Sequence, residues 1–397
     1  MTIDYESQRN WEPQTQAVRG ATVRSQFDET SEALFLNSGY VYKSAEEAEA
    51  AFNQDIDRFV YSRFGNPTVT MFEQRLALLE GAEECKAMGS GMAAVFAALA
   101  SHLSAGDRLV ASRALFGSCQ YICEELLPRF GVTTELVDGR NIEEWETALS
   151  KPANAVFLES PSNPGLEIID VAAVCGLAHS AGATVFVDNV FATPELQKPL
   201  EFGADVIIYS ATKHIDGQGR CLGGAVLGTK SFIEDTVTPF IRHTGPALSP
   251  FNAWVLLKGL ETLALRVDRH CDSAKSIATH LSTKPGITRL LYPELDSHPQ
   301  HELAMQQMKR GGTVVAFELE GGKNRTFDFL NRLKIIDISN NLGDAKSLIC
   351  HPATTTHQRL SDEDKARVGL TPGFVRLSVG LESVDDLIRD LDQALAQ

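Results

Sequence analysis

The chain has 397 residues, 43% hydrophobic, 22% charged and 8% aromatic, the composition of an ordinary soluble globular protein. That length exceeds one compact core, so two or three domains are expected. With 36 Lys and Arg against 52 Asp and Glu the formal charge is −16, and no basic tract is present, which argues against nucleic acid and anionic membrane as partners. An anionic substrate would have to be drawn in by a few well-placed arginines. The start, Met1-Thr2-Ile3-Asp4-Tyr5-Glu6, lacks a basic region followed by an apolar stretch, so no secretory leader is expected. No apolar run approaches the ~20 residues of a membrane span. Seven cysteines without C-x-x-C spacing argue against a disulfide framework or a metal site and for a reducing cytoplasm. Cys119 and Cys123, four apart on an expected helix, read as small hydrophobes.

Residues 1 to about 60 are polar and dotted with aromatics. They read as an extended arm with a short helix over 45–52, and such an arm stays ordered only by docking. From Thr68 the pattern changes to alternating helix and strand. A helix is expected over 68–80, with Met71, Phe72, Leu76 and Leu79 at helical spacing and its stop at Gly81. A strand over 84–88 and Gly89-Ser90-Gly91 lead into a helix over 92–103, so rich in Ala, Phe, Val and Leu that it must be buried. Strands follow over 108–110, 155–158, 184–187 and 205–209, with amphipathic helices over 119–130 and 170–181. This alternation implies an α/β fold with a mostly parallel sheet covered on both faces. Near Pro246 to Pro250 it breaks. One long helix is expected over 251–281, then strands over 313–319 and 374–379 and an amphipathic helix over 383–395. The expected organisation is an arm (1–65), an α/β domain (66–255) and a smaller α+β domain (256–397) that begins with the long helix.

The chemistry concentrates where strands end. Asp205-Val206-Ile207-Ile208-Tyr209 stops at Ser210-Ala211-Thr212-Lys213, and Thr184-Val185-Phe186-Val187 stops at Asp188. Parallel strands deliver functional groups at their carboxyl ends. An amine there can form a Schiff base with a carbonyl, and a carboxylate beside it can hold a ring nitrogen protonated, the pairing that pyridoxal 5′-phosphate (PLP) chemistry requires. Asp188 as a plain salt bridge or helix cap is the competing reading. Gly89-Ser90-Gly91-Met92 opens a helix whose N–H groups make an anion site, or else a simple tight turn. Ser210 and Thr212 alternate along the strand end, so both hydroxyls are expected to face one anion, with helix capping as the alternative. Asn163, in Glu159-Ser160-Pro161-Ser162-Asn163-Pro164, could bind a ring hydroxyl or serve the turn. Arg376 sits mid-strand between Val375 and Leu377, an odd place for a guanidinium unless it forks onto a carboxylate.

These motifs, with Phe374-Val375-Arg376-Leu377-Ser378-Val379-Gly380, resemble the Cys/Met-metabolism family of PLP enzymes from about Asn37 to the C-terminus. The family includes cystathionine synthases and lyases, methionine γ-lyases and homoserine-ester sulfhydrylases. The resemblance implies a PLP fold-type I (aspartate-aminotransferase-like) architecture and a homotetramer of active dimers. It makes Lys213 the Schiff-base lysine and proton carrier, and Asp188 the partner of the pyridine nitrogen. Gly91, Met92, Ser210 and Thr212 become the phosphate cradle, Arg376 the binder of the substrate carboxylate, and Asn163 a neighbour of cofactor and substrate. Tyr61 and Arg63, in Tyr61-Ser62-Arg63-Phe64-Gly65-Asn66-Pro67-Thr68, would reach the phosphate of the neighbouring subunit's cofactor and so account for the arm. One departure is Phe116, in Ala114-Leu115-Phe116-Gly117-Ser118, where the family places a tyrosine over the ring. It can stack but has no hydroxyl. Ser118 stands where methionine γ-lyases carry a cysteine. With Gly245-Pro246-Ala247-Leu248-Ser249-Pro250, this stretch most resembles the branch that replaces the γ-substituent of O-succinyl-L-homoserine with sulfide in methionine biosynthesis. Cysteine as nucleophile, an acetyl ester and a lyase reaction stay open, and a silent scaffold is opposed by intact Lys213, Asp188 and Arg376. A succinyl ester carries a second carboxylate, for which Arg113 is the expected cation.

Overall fold

The computed structural model describes residues 5–396; the first four residues of the expected arm, and Gln397, lie outside them. The larger sheet has seven strands: β1 (Glu84–Met88), β2 (Arg108–Ser112), β3 (Thr133–Val137), β4 (Ala155–Glu159), β5 (Thr184–Asp188), β6 (Val206–Tyr209) and β7 (Gly224–Gly228). Their spatial order is β1-β7-β6-β5-β4-β2-β3, and β7 is antiparallel to both its neighbours while the other pairings are parallel. The near-continuous apolar runs have a simple cause. Val156, Leu158, Val185, Val187 and Ile207 pack into one core, and Phe157, Phe186, Val206 and Ile208 into another on the opposite face. Each fully buried side chain of this size contributes about 1.5–3 kcal/mol, and the two-sided burial suits parallel strands.

The helix Gly91–His102 covers the second of these faces. Ser90 caps it, its Oγ accepting from Ala93 N at 3.1 Å. The helix Pro67–Glu80 packs in the other core; Asn66 caps its start and Gly81, at φ +87°, ends it in the left-handed conformation. The expected helices over 170–181 and 383–395 appear as Val171–Ser180 and Val384–Leu395. The expected long helix is two, Pro250–Leu260 and Leu263–Leu281. At the break Thr262 leaves helical geometry, at φ −117° and ψ 10°, and the Gly259 carbonyl accepts from Arg266 Nη2 at 2.7 Å.

A second sheet, in the order β10-β11-β12-β9-β8, draws all its strands from the tail: β8 (Ile287–Leu291), β9 (Val314–Leu319), β10 (Asp337–Ile338), β11 (Leu348–Cys350) and β12 (Phe374–Ser378). Among the described residues no helix is long and apolar enough to cross a membrane. Much of the arm docks on its own chain. Arg75, on the helix Pro67–Glu80, donates to the Gly20 carbonyl at 2.7 Å and pairs with Glu32, which also pairs with Lys258. Trp254 Nε1 holds the Glu32 carbonyl at 2.9 Å. Beyond that clamp, Leu36, Val41 and Phe52 are exposed.

Candidate active site

Strand parity assembles the site. Glu159 closes β4 and Asp188 closes β5, and the two are register partners. Counting in twos from Phe157, Phe186 and Ile208 puts Glu159, Asp188 and Ser210 on the face under the helix Gly91–His102. All three line one cavity of about 230 Å³, together with Gly91, Met92, Phe116, Asn163, Lys213 and Arg376. Its place at the carboxyl ends of parallel strands is where α/β sheets collect their ligands.

One end of the cavity is built for an anion. The first-turn N–H groups of a helix have no carbonyl partner inside it and carry its positive dipole end. Gly91 is required there by space, since a Cβ would lie 2.5 Å from Ser210 Cβ and 2.8 Å from Ser210 Oγ. The close approach brings the Ser210 hydroxyl to the helix start. Thr212 also lines the cavity; its hydroxyl donates to the Gly223 carbonyl at 3.2 Å and accepts from Gly223 N at 3.1 Å, which ties it to the chain leading into β7.

Opposite stand the charged groups. Asp188 is 8% exposed, its Oδ1 accepts from Val190 N at 3.1 Å, and it makes no ion pair among the described residues. Burial pushes its carboxyl up to about 7, with the Lys213 charge pulling the other way. Glu159 is held well above the ordinary carboxylate range by burial and by Asp188 beside it, and its Oε2 accepts from Phe116 N at 2.9 Å. Phe116 is thus fixed at the cavity wall. Lys213 Nζ donates to Asn341 Oδ1 at 2.5 Å; burial and the Arg376 charge bring the amine down to about 8, against the attraction of Asp188. Arg376, 1% exposed on β12, donates from Nη1 to Asn163 Oδ1 at 2.8 Å and from Nη2 to the carbonyls of Asn340 at 2.8 Å and Asn341 at 3.2 Å. Its Nε–H has no partner, and the guanidinium makes no ion pair among the described residues. A buried cation with a free donor is disposed to take a carboxylate.

Three expected residues lie elsewhere in the chain. Arg113 is outside this cavity: its N–H donates to the Val137 carbonyl at 2.8 Å, extending the β2–β3 pairing at the sheet edge, and its side chain pairs with Glu144 at 3.7 Å. It borders a separate hollow with Glu124, Asp364 and Arg367. Arg63 donates to the Arg242 carbonyl and lies over the Phe64 ring at 4.7 Å, while Tyr61 is 43% exposed. Neither lines the cavity of its own chain. Glu159 and Asn341 are in the site but carried no expectation. Glu159 could have been found as a third polar group ending an apolar strand, whereas Asn341 reaches Lys213 only through the packing of the second sheet.

The residues present suit PLP. The Gly91 and Ser210 cradle would take its phosphate, the buried Asp188 carboxylate would hold its ring nitrogen, and Lys213 would supply the amine that bonds it. Residues 14–396 match the family described as Cys/Met metabolism PLP-dependent enzyme. The chain is 57% identical over 386 residues to the O-succinylhomoserine sulfhydrylase of Mycobacterium tuberculosis, covering 96% of this chain and 95% of that one. It is 47% identical to the enzyme of the same name from Pseudomonas aeruginosa, over 96% and 94% of the two chains. Among solved structures, a putative O-acetylhomoserine (thiol)-lyase from Campylobacter jejuni, carrying N′-pyridoxyl-lysine-5′-monophosphate, superposes with a TM-score of 0.93 at 32% identity, over 98% of this chain and all of that one. The chain belongs to the Cys/Met-metabolism family of PLP-dependent enzymes.

Proposed function

We propose that this enzyme converts O-succinyl-L-homoserine and sulfide to L-homocysteine and succinate, a γ-replacement serving methionine biosynthesis. The observation that carries the reading is the coincidence of the sulfhydrylase relatives, matched over nearly the full chain, with a cavity that pairs a free-donor arginine and a lowered-pKa amine. Lys213 bonds the cofactor and, once released, moves protons from Cα and then Cβ of the substrate. Asp188 holds the ring nitrogen protonated. Gly91, Met92, Ser210 and Thr212, all at the cavity wall, take the phosphate. Arg376 receives the α-carboxylate, and Asn163, already bonded to its Nη1, orients the fork. Phe116 stacks on the ring, held by Glu159. The cofactor, when bound, supplies the electron sink for the pair left at Cα.

Among the described residues Lys213 and Arg376 are the cations lining the cavity, while Arg113 lines an adjoining hollow that shares Asn163, so a succinyl carboxylate would face the mouth or a neighbouring protomer. Exposed Tyr61 and Arg63 fit a role at the neighbouring subunit's phosphate in a cytoplasmic homotetramer. Purified enzyme given O-succinylhomoserine with either sulfide or cysteine decides the nucleophile. Homocysteine is the expected dominant product. Cystathionine alone, or a 2-oxo acid without any nucleophile, would overturn the assignment.

A further inference from the structure

Asn341 lies between β10 and β11 and holds two charged groups of the site at once. Its Oδ1 accepts from Lys213 Nζ at 2.5 Å, and its carbonyl accepts from Arg376 Nη2 at 3.2 Å. The loop is fixed from both sides. Asn341 N donates to Ser339 Oγ at 3.3 Å, and Gly343, at φ +72°, lies so near His214 that a Cβ would sit 2.7 Å from the His214 N. His214 is the residue after Lys213, and its Nε2 contacts Thr313 Oγ1, just ahead of β9, at 2.7 Å, so the side chain next to the lysine is held as well as the amine.

An unbonded lysine amine swings on a four-carbon stem with about 2 kcal/mol of rotamer entropy. A proton carrier must instead keep its lone pair on the substrate carbons while its N–H groups are held elsewhere. An amide oxygen on a pinned loop meets that need, and it can do so only when the amine is not covalently engaged. Resting on the reading of Lys213 as the cofactor-bonding residue, we infer that Asn341 is the positioning residue of the released amine. It parks the lysine beside Arg376 and thereby ties the proton carrier to the group that receives the substrate carboxylate. The other groups facing the amine are Asp188 from β5 and Arg376 from β12, with the buried His214 ring neutral near pH 7 and Glu159 on β4 pushed up by burial and by Asp188. An acceptor favours the ammonium form, and a hydrogen bond to a charged group corresponds to about one pKa unit or somewhat more.

The test uses the full chain stripped of cofactor, in which the amine is free. Labelling of Lys213 by fluorodinitrobenzene, followed by peptide mass spectrometry across pH, should have its midpoint near 8 in the wild type. Asn341→Ala should lower that midpoint by about one unit, and the isosteric Asn341→Asp should raise it by at least as much. In the reloaded enzymes the acid limb of kcat should move in the same two directions, which a merely structural role would not produce. Midpoints unchanged in both variants, with the cofactor still reducible onto Lys213, would overturn the role of Asn341 alone. Cofactor found on another lysine in the wild type would overturn the reading of Lys213 beneath it.

Discussion

Replacing Asp188 with Asn should separate a cost in the stripped protein from a benefit in the loaded one. The carboxyl is 8% exposed, has one backbone donor and no ion pair among the described residues. Burial raises its pKa from 3.8 to about 7, opposed by Lys213. Between those values the folded chain keeps a proton that the unfolded chain has released, so its contribution to stability falls as pH rises from 4 and the loss is complete above 7. A rise of about three units corresponds to a loss on the order of 4 kcal/mol at pH 8. Asn has nearly the same shape and does not titrate. Without cofactor, Asp188→Asn should therefore melt higher than wild type at pH 8 and at about the same temperature near pH 4. With cofactor restored the order should reverse, because the wild-type carboxylate gains a ring-nitrogen partner that an amide cannot match. kcat/KM of the variant should fall roughly a hundred- to a thousand-fold, the usual loss when one aimed electrostatic group is removed. Thermal melts at both pH values, stripped and loaded, give all four comparisons. A stripped variant less stable than wild type at pH 8 would refute the reasoning, since the carboxylate would then already be satisfied by the protein.

The arm clamp gives an opposite sign. Glu32 is held near 2, against the effect of its burial, by Lys258 and Arg75, so its contribution is present above about 4.5 and is lost as pH falls toward 2. Glu32→Gln leaves the fully buried Arg75 with only Glu261, at 3.8 Å, as an acidic partner and should cost about 3 kcal/mol, read by denaturant melts at neutral pH. Arg376→Lys keeps the charge but loses the fork; KM for O-succinylhomoserine should rise about 10- to 100-fold with the cofactor titration unchanged. Gly91→Ala places a methyl 2.5 Å from Ser210 Cβ, and should weaken cofactor binding and cost about 1–3 kcal/mol of stability in the stripped protein.

The site was legible wherever a polar group ends or interrupts an apolar strand. Lys213, Asp188 and Arg376 stand out because the residues around them have water on neither side, and parity then places Asp188 and Ser210 under one helix. Where periodicity is silent, reading failed. The strand β3, Thr-Thr-Glu-Leu-Val, lies at the sheet edge and looks like a loop, and nothing local marks β7 as the antiparallel neighbour that takes up the Thr212 hydroxyl. The apolar pattern of Leu260, Leu263 and Val267 runs on through the break between the two helices, so periodicity gives no sign of it. Arg113 lies outside the cavity because it follows β2, and β2 pairs with the edge strand β3 on one side. Glu32 and Asn341 act through partners more than a hundred residues away, Lys258 and Lys213, so no window of sequence contains the interaction.

The most direct test is to reduce the holoenzyme with borohydride and map the pyridoxyl group by peptide mass spectrometry. The expected result is one modified residue, Lys213, with label abolished in Lys213→Ala. A pyridoxyl group on any other lysine, or undiminished labelling of Lys213→Ala, would contradict the assignment of the chemistry to this cavity.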